Sequence, residues 1–154
     1  MAVPPSFSTL DISGRFVHNK ALSDDTDEIL ILQGVGWFLR KAIKAATLTL
    51  YISHYTDEHD IEHIDIDQRL TGGIPGTTEQ RTLDWTEREH RDGVFGDVVG
   101  KSRRVEGSEI GEIDEEFLKT GWTKDSLEDG LIFAYARSDT PKSGRTWTSD
   151  QVRP

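Results

Sequence analysis

Three histidines, His54, His59 and His63, sit within ten residues of one another, with Asp57 and Asp65 between or beside them. Imidazoles and carboxylates in such company suit a metal ion, but no known zinc spacing is matched. The alternative is a polar strand pair around a turn at 57–59, with His54 and His63 as near cross-strand neighbours. No metal is expected. Asp65, Asp67 and Asp84 are carboxylates inside strand-like stretches. Acid–base work would require one of them to be buried and shifted. Alternation sets Asp65 and Asp67 opposite Ile64 and Ile66, which favours solvent. Arg81, Arg103 and Arg104 lie in strands that would line a barrel, where one inward guanidinium could grip an acidic ligand. The competing role is a cross-strand salt bridge to Glu79, Glu87 or Glu89. Trp37, Phe38, Tyr51, Trp85, Phe133, Tyr135 and Trp147, with Leu83, supply the large side chains that suit either a pocket wall or an ordinary core. Arg81 and Arg103 complete the candidate ligand-binding set. Phosphate-binding glycine loops, GxSxG, HExxH and Ser-His-Asp arrangements are all missing from the sequence, so no catalytic residue can be named.

The elements that must position these residues are mostly strands. Residues 1–11 read as a loose arm around Pro4 and Pro5, and 12–154 as one domain. Gly14 to Lys20 alternates like a first strand. Ser23 to Asp27 offers helix caps and a negative charge for a helix start. Ile29, Leu30 and Leu32, then Trp37, Leu39 and Ile43, recur at helical intervals. Gly34-Val35-Gly36 divides that run into two short helices, near 25–33 and 36–45, each too short to stand without the barrel rim to bury Ile29, Leu32, Trp37 and Ile43. Strands follow at about 47–55, 61–70, 77–90, 97–105 and 131–137, with another starting near Arg145. That makes about seven strands. Two short helices cannot cover so many, and a sheet closing on itself with the helices as a lid resolves the edges better.

The chain has 154 residues, 34% of them apolar, and carries a net charge of −10. It is long enough for one lean core, or for a barrel with a wet interior. An acidic field repels phosphate backbones and anionic lipid surfaces, and the lone basic cluster at Lys101 to Arg104 is too small a footprint for nucleic acid. With no cysteine, disulfides, thiolate catalysis and Cys-bound zinc are excluded. Met1 to Ser6 shows no basic and apolar leader, and no apolar run approaches the roughly 18 residues of a span. A cytoplasmic protein without membrane insertion is expected.

Gly14-Arg15-Phe16, the acidic Asp24 to Glu28, and Gly34-Val-Gly-Trp-Phe-Leu-Arg-Lys-Ala42 together resemble the opening of the intracellular fatty-acid-binding proteins. Lys101-Ser102 stands where that family has a similar strand segment. The whole chain is also similar to small fungal lipocalin-like proteins of the calycin type, some of which are cyclases in natural-product pathways. The resemblance implies a mainly β fold, an antiparallel calycin β-barrel with a helix–turn–helix lid. The family's last strand carries an Arg-x-Tyr pair that holds a carboxylate. Here Arg153 has no tyrosine after it, and the strand count falls short, so that clamp is not inherited. An incompletely closed barrel would leave an edge for a second copy of the chain.

Two functions fit. The first is binding of an apolar or amphipathic small molecule in the barrel. The second is a cofactor-free cyclase or isomerase folding a biosynthetic intermediate in the same space, which needs shape and positioning rather than a motif.

Overall fold

The computed structural model describes residues 7–74 and 76–153. Eight strands form two four-stranded antiparallel sheets. The first holds β1 (Gly14–Val17), β2 (Leu48–Thr56), β3 (Glu62–Leu70) and β4 (Thr77–Thr82) in that order. The second holds β5 (Arg88–Asp92), β6 (Gly96–Val105), β7 (Leu131–Ser138) and β8 (Thr148–Arg153). Helices α1 (Asp27–Leu32) and α2 (Trp37–Ala45) lie between β1 and β2 and meet at Gly34 to Gly36, as the glycine pair implies. Gly34 has a φ of +73° and lies against the Arg145 side chain, so a β-carbon there would have to push that arginine aside.

The expected third strand is two strands. Leu83 still donates its N–H to the Glu62 carbonyl in the first sheet, whereas Trp85 donates to Ser102 O in the second at 2.9 Å. Between them the chain changes sheets. Trp85 takes a φ of +59°, an unusual conformation for a bulky residue. It is held by local contacts: the Asp84 carboxylate accepts from the Thr86 N–H at 3.0 Å and grips both Arg88 guanidinium nitrogens at 2.7 Å. This corner separates β4 from β5. Neither the β4–β5 pair nor a β1–β8 pair is present among the described residues, so the expected barrel does not close.

The two sheets share a core at Ile12, Ile64, Ile66 and Ile132, with Phe7, Leu50, Ile52 and Leu83 packed against it. Strand alternation explains the partition. Ile64 and Ile66 face Ile132 of β7, while Asp65 and Asp67 point the other way. Phe7 packs edge-on against Phe16 with ring centroids 5.6 Å apart. At the end away from the helices, Arg104 spans the sheets. It pairs with Glu62 and donates to Thr9 O at 3.0 Å and to the carbonyls of Asp129 and Gly130 at 3.1 and 3.2 Å.

The helices depart from expectation. Ile29, Leu32 and Trp37 are exposed by 56%, 75% and 63%, so the rim does not bury them. What fastens the pair is polar. Arg40 bonds Asp27 at 3.0 Å and the Val35 carbonyl at 2.8 Å, and Arg145 reaches Phe95 O at 3.2 Å and Gln33 O at 3.5 Å.

Candidate functional site

A cavity of about 440 Å³ opens between the sheets on the helix side of the core. Its existence follows from side-chain size. Gly100 lies opposite Ala136, and Ser102 opposite Ala134, so β6 and β7 present four small residues in register on one face. All four line the cavity. Larger residues there would have filled the space that Ile64, Ile66 and Ile132 fill further along. Phe95 and Trp147, 6.3 Å between ring centroids, wall the helix end together with Gln33. The volume lies within the range of small-molecule sites, about 300–1,000 Å³.

The opposite wall is charged. Glu79 and Arg81 alternate on one face of β4, opposite Ile66 and Ile64. The Arg81 side chain is only 11% exposed and its Nε donates to Glu79 Oε2 at 2.9 Å. Gln68 donates to the other Glu79 oxygen at 2.6 Å. Across the gap, Gln151 Oε1 accepts from Arg81 Nη2 at 3.3 Å and from Arg153 Nη2 at 3.0 Å. Burial works against the Glu79 charge, but Arg81 outweighs it and holds the carboxyl below its usual value. Burial and the neighbouring Arg81 push Arg153 down to about 10. Glu79 thus pairs with Arg81 directly and acts on Arg153 only through its charge. At the helix end, the Trp147 Nε1 is buried without a hydrogen-bond partner among the described residues.

Of the predicted wall residues, Arg81, Tyr135 and Trp147 line the cavity. Trp37 and Phe38 stand out on α2, 63% and 81% exposed. Tyr51 lies on the outer face of the first sheet, beneath Arg69 at 4.4 Å. Leu83 joins the core. Trp85 and Phe133 stack on each other at 5.3 Å, with Lys101 Nζ 4.4 Å above Trp85. Phe133 and Arg103 belong to the other face of β6 and β7 from Ser102 and Ala134, by the same alternation that makes the cavity floor. There Arg103 meets Glu109 at 3.5 Å and Glu112 at 3.7 Å from the acidic segment that follows β6.

The histidines do not converge. His54 faces inward and meets Glu62 at 2.7 Å, His63 meets Asp57 at 2.9 Å on the outer face, and His59 is exposed. In the register His54 lies opposite Ile64 and His63 opposite Tyr55, so the two are near neighbours on opposite faces. Asp67 bonds Arg69 at 2.8 Å, and Asp84 is held well below the ordinary carboxylate range by Arg88. Sequence reasoning missed His90, Phe95, Ser102 and Gln151, all of which line the cavity, and weighed Glu79 only as a salt-bridge partner, which it is for Arg81 on the same strand. The available signal was the run of small residues at alternate positions, Gly100 and Ser102 with Ala134 and Ala136.

Two curated proteins resemble the chain. It is 27% identical over 128 residues to a probable pericyclase, scpY, of Mollisia scopiformis, covering 82% of this chain and 67% of that protein. It is 26% identical over 125 residues to the pericyclase pydY of an Acremonium species, covering 80% and 67%. Both similarities are distant, and each is to a protein named as a pericyclase. No family model matches the chain, and no solved structure matches it.

Proposed function

We propose that this protein is a cyclase of natural-product biosynthesis that folds a flexible unsaturated intermediate in the cavity between its sheets and catalyses a pericyclic ring closure. The observation that carries this is the similarity to two pericyclases over about four-fifths of the chain. The same comparison favours an enzyme over a simple carrier of apolar ligands. A pericyclic step moves electrons around a ring within one molecule, with no net gain or loss of protons or redox equivalents. It therefore needs no cofactor and no nucleophile, in keeping with a sequence that holds no catalytic motif. What the protein supplies is geometry. The floor of Gly100, Ser102, Ala134 and Ala136 leaves room for a folded chain, and Phe95 and Trp147 give it flat apolar walls. Holding the reacting termini together removes much of the entropic barrier. Donors on the wall, Arg81 and the Trp147 N–H, can draw electron density from a conjugated carbonyl as the bonds form.

Deleting the gene in its source organism should remove one cyclised metabolite and accumulate an uncyclised isomer of identical mass. Purified protein should then convert that isomer to the lost metabolite. Ala136→Phe, which fills the cavity floor, should keep the fold by circular dichroism and lose the conversion. An unchanged metabolite profile on deletion would overturn the proposal.

A further inference from the structure

The charged groups on the cavity wall are matched one by one. Glu79 holds Arg81, Arg88 holds Asp84, Glu89 holds Lys142, and Lys101 lies 4.0 Å from Glu87. Asp92 accepts the N–H groups of Val94 and Phe95 at 2.6 and 2.8 Å. His90 is the exception. It lines the same cavity and, among the described residues, has neither an ion pair nor a side-chain hydrogen bond. Its placement follows from the register. β5 pairs only with β6, where Arg88 lies opposite Gly100 and His90 opposite Val98. Gly100 and Val98 line the cavity, and paired residues of an antiparallel ladder point to one face, so the imidazole points there too. β4 shares no ladder with β5, and Glu79 stands on the far side of that gap. Burial opposes the Glu79 charge, Arg81 sustains it, and Arg153 and His90 add to it through space. His90 is also exposed, so a proton on its ring exchanges freely with water.

We propose that His90 is a catalytic acid–base residue that tautomerises an α,β-unsaturated carbonyl chain in the cavity, making the diene whose ring closure follows. This rests on the cavity being the cyclase site. It deepens that reading by adding a step before the closure and by naming the substrate class, an enone with a hydrogen on its γ carbon. The step balances within the substrate. The imidazole takes the γ proton, and the C–H electron pair becomes the β,γ double bond. The α,β pair shifts to join the α carbon to the carbonyl carbon, and the carbonyl oxygen takes a proton back from the imidazolium. One C–H bond is lost, one O–H bond is formed, and the mass is unchanged. An imidazole suits both halves of that exchange near neutral pH, and the Glu79 carboxylate across the gap favours the imidazolium that exists between them. The competing role for His90 is that of a solvated side chain on an edge strand, which takes no part in turnover.

The test uses the uncyclised isomer that the deletion strain accumulates, prepared from cells grown in heavy water so that its carbons carry deuterium. Turned over by the whole chain in ordinary water, it should give a cyclised product with one carbon-bound deuterium fewer, read by mass spectrometry. A ring closure alone keeps every such deuterium. His90→Gln should slow deuterium loss and ring closure together, by about a hundredfold, and imidazole added to the buffer should restore part of both rates. The substitution lies on an exposed edge-strand position, and circular dichroism checks that the fold is kept. A product that retains all its deuterium, an unaltered rate in His90→Gln, or a slowed variant that imidazole does not rescue would each overturn the role of His90 while leaving the cyclase. No conversion by the unaltered protein would overturn both.

Discussion

Arg104 ties three separate segments together between the sheets. Its guanidinium joins the N-terminal segment at Thr9, β3 at Glu62 and the turn into β7 at Asp129 and Gly130. Arg104→Ala would leave Glu62 with His54 alone and take a donor from three carbonyls. It should cost about 2–4 kcal/mol in urea unfolding. The same contact sets an acid dependence. Burial tends to raise the Glu62 carboxyl, but Arg104 and His54 together hold it below its ordinary value. A lowered carboxyl contributes stability that is present above its unfolded value, about 4.3, and is lost as the pH falls through the lower folded value. Unfolding midpoints should therefore drop in acid below about pH 4, and Glu62→Gln should flatten that limb. None of this was legible in the sequence. Arg104 reads there as one of three strand arginines, and its partner at Thr9 is 95 positions away.

At the scale of the element, periodicity located nearly every strand and helices α1 and α2, because alternation and the 3.6-residue repeat are local properties of the chain. It missed the short helices Lys124–Asp129 and Thr140–Ser143. What lies against an element is not local. The helical repeat marks Ile29, Leu32 and Trp37 as one apolar face, yet nothing in it says that a rim will reach them, and the rim does not. The break after Thr82 was masked by a run that stays polar and apolar in alternation. The Asp84–Arg88 grip and the left-handed Trp85 end it. Aromatic residues drew attention as pocket walls, whereas the cavity was made by the absence of large side chains on β6 and β7. Burial also ranks the strands by protection. β7 is bonded on both sides and buries Leu131, Ile132 and Ala134, while β8 is bonded only to β7. Hydrogen exchange should be slow across 131–138 and, at low protein concentration, much faster in those amides of 148–153 that face away from β7. Equal protection of both would mean that β8 has a second neighbour.

For the molecule as a whole, the outer edges of β1, β4, β5 and β8 have no strand partner among the described residues. Unpaired edges favour pairing with another copy, and a net charge of −10 opposes it. The balance predicts weak self-association that strengthens as salt screens the repulsion. Sedimentation velocity should show the average mass rising with both protein and salt concentration, and a strict monomer throughout would exclude edge pairing. The seam has a second consequence. Among the described residues, backbone joins the two sheets at one corner only, where Asp84 bridges Arg103 and the Trp85 N–H reaches Ser102. Everywhere else the sheets touch through side chains. Swinging them apart about that corner breaks no ladder hydrogen bond, and what resists it is the isoleucine core and the Arg104–Glu62 pair. A ring-forming substrate changes from a long, supple thread into a compact, rigid body during one turnover. For the proposed cyclase, two such sheets would give room to a substrate that changes shape without breaking either ladder.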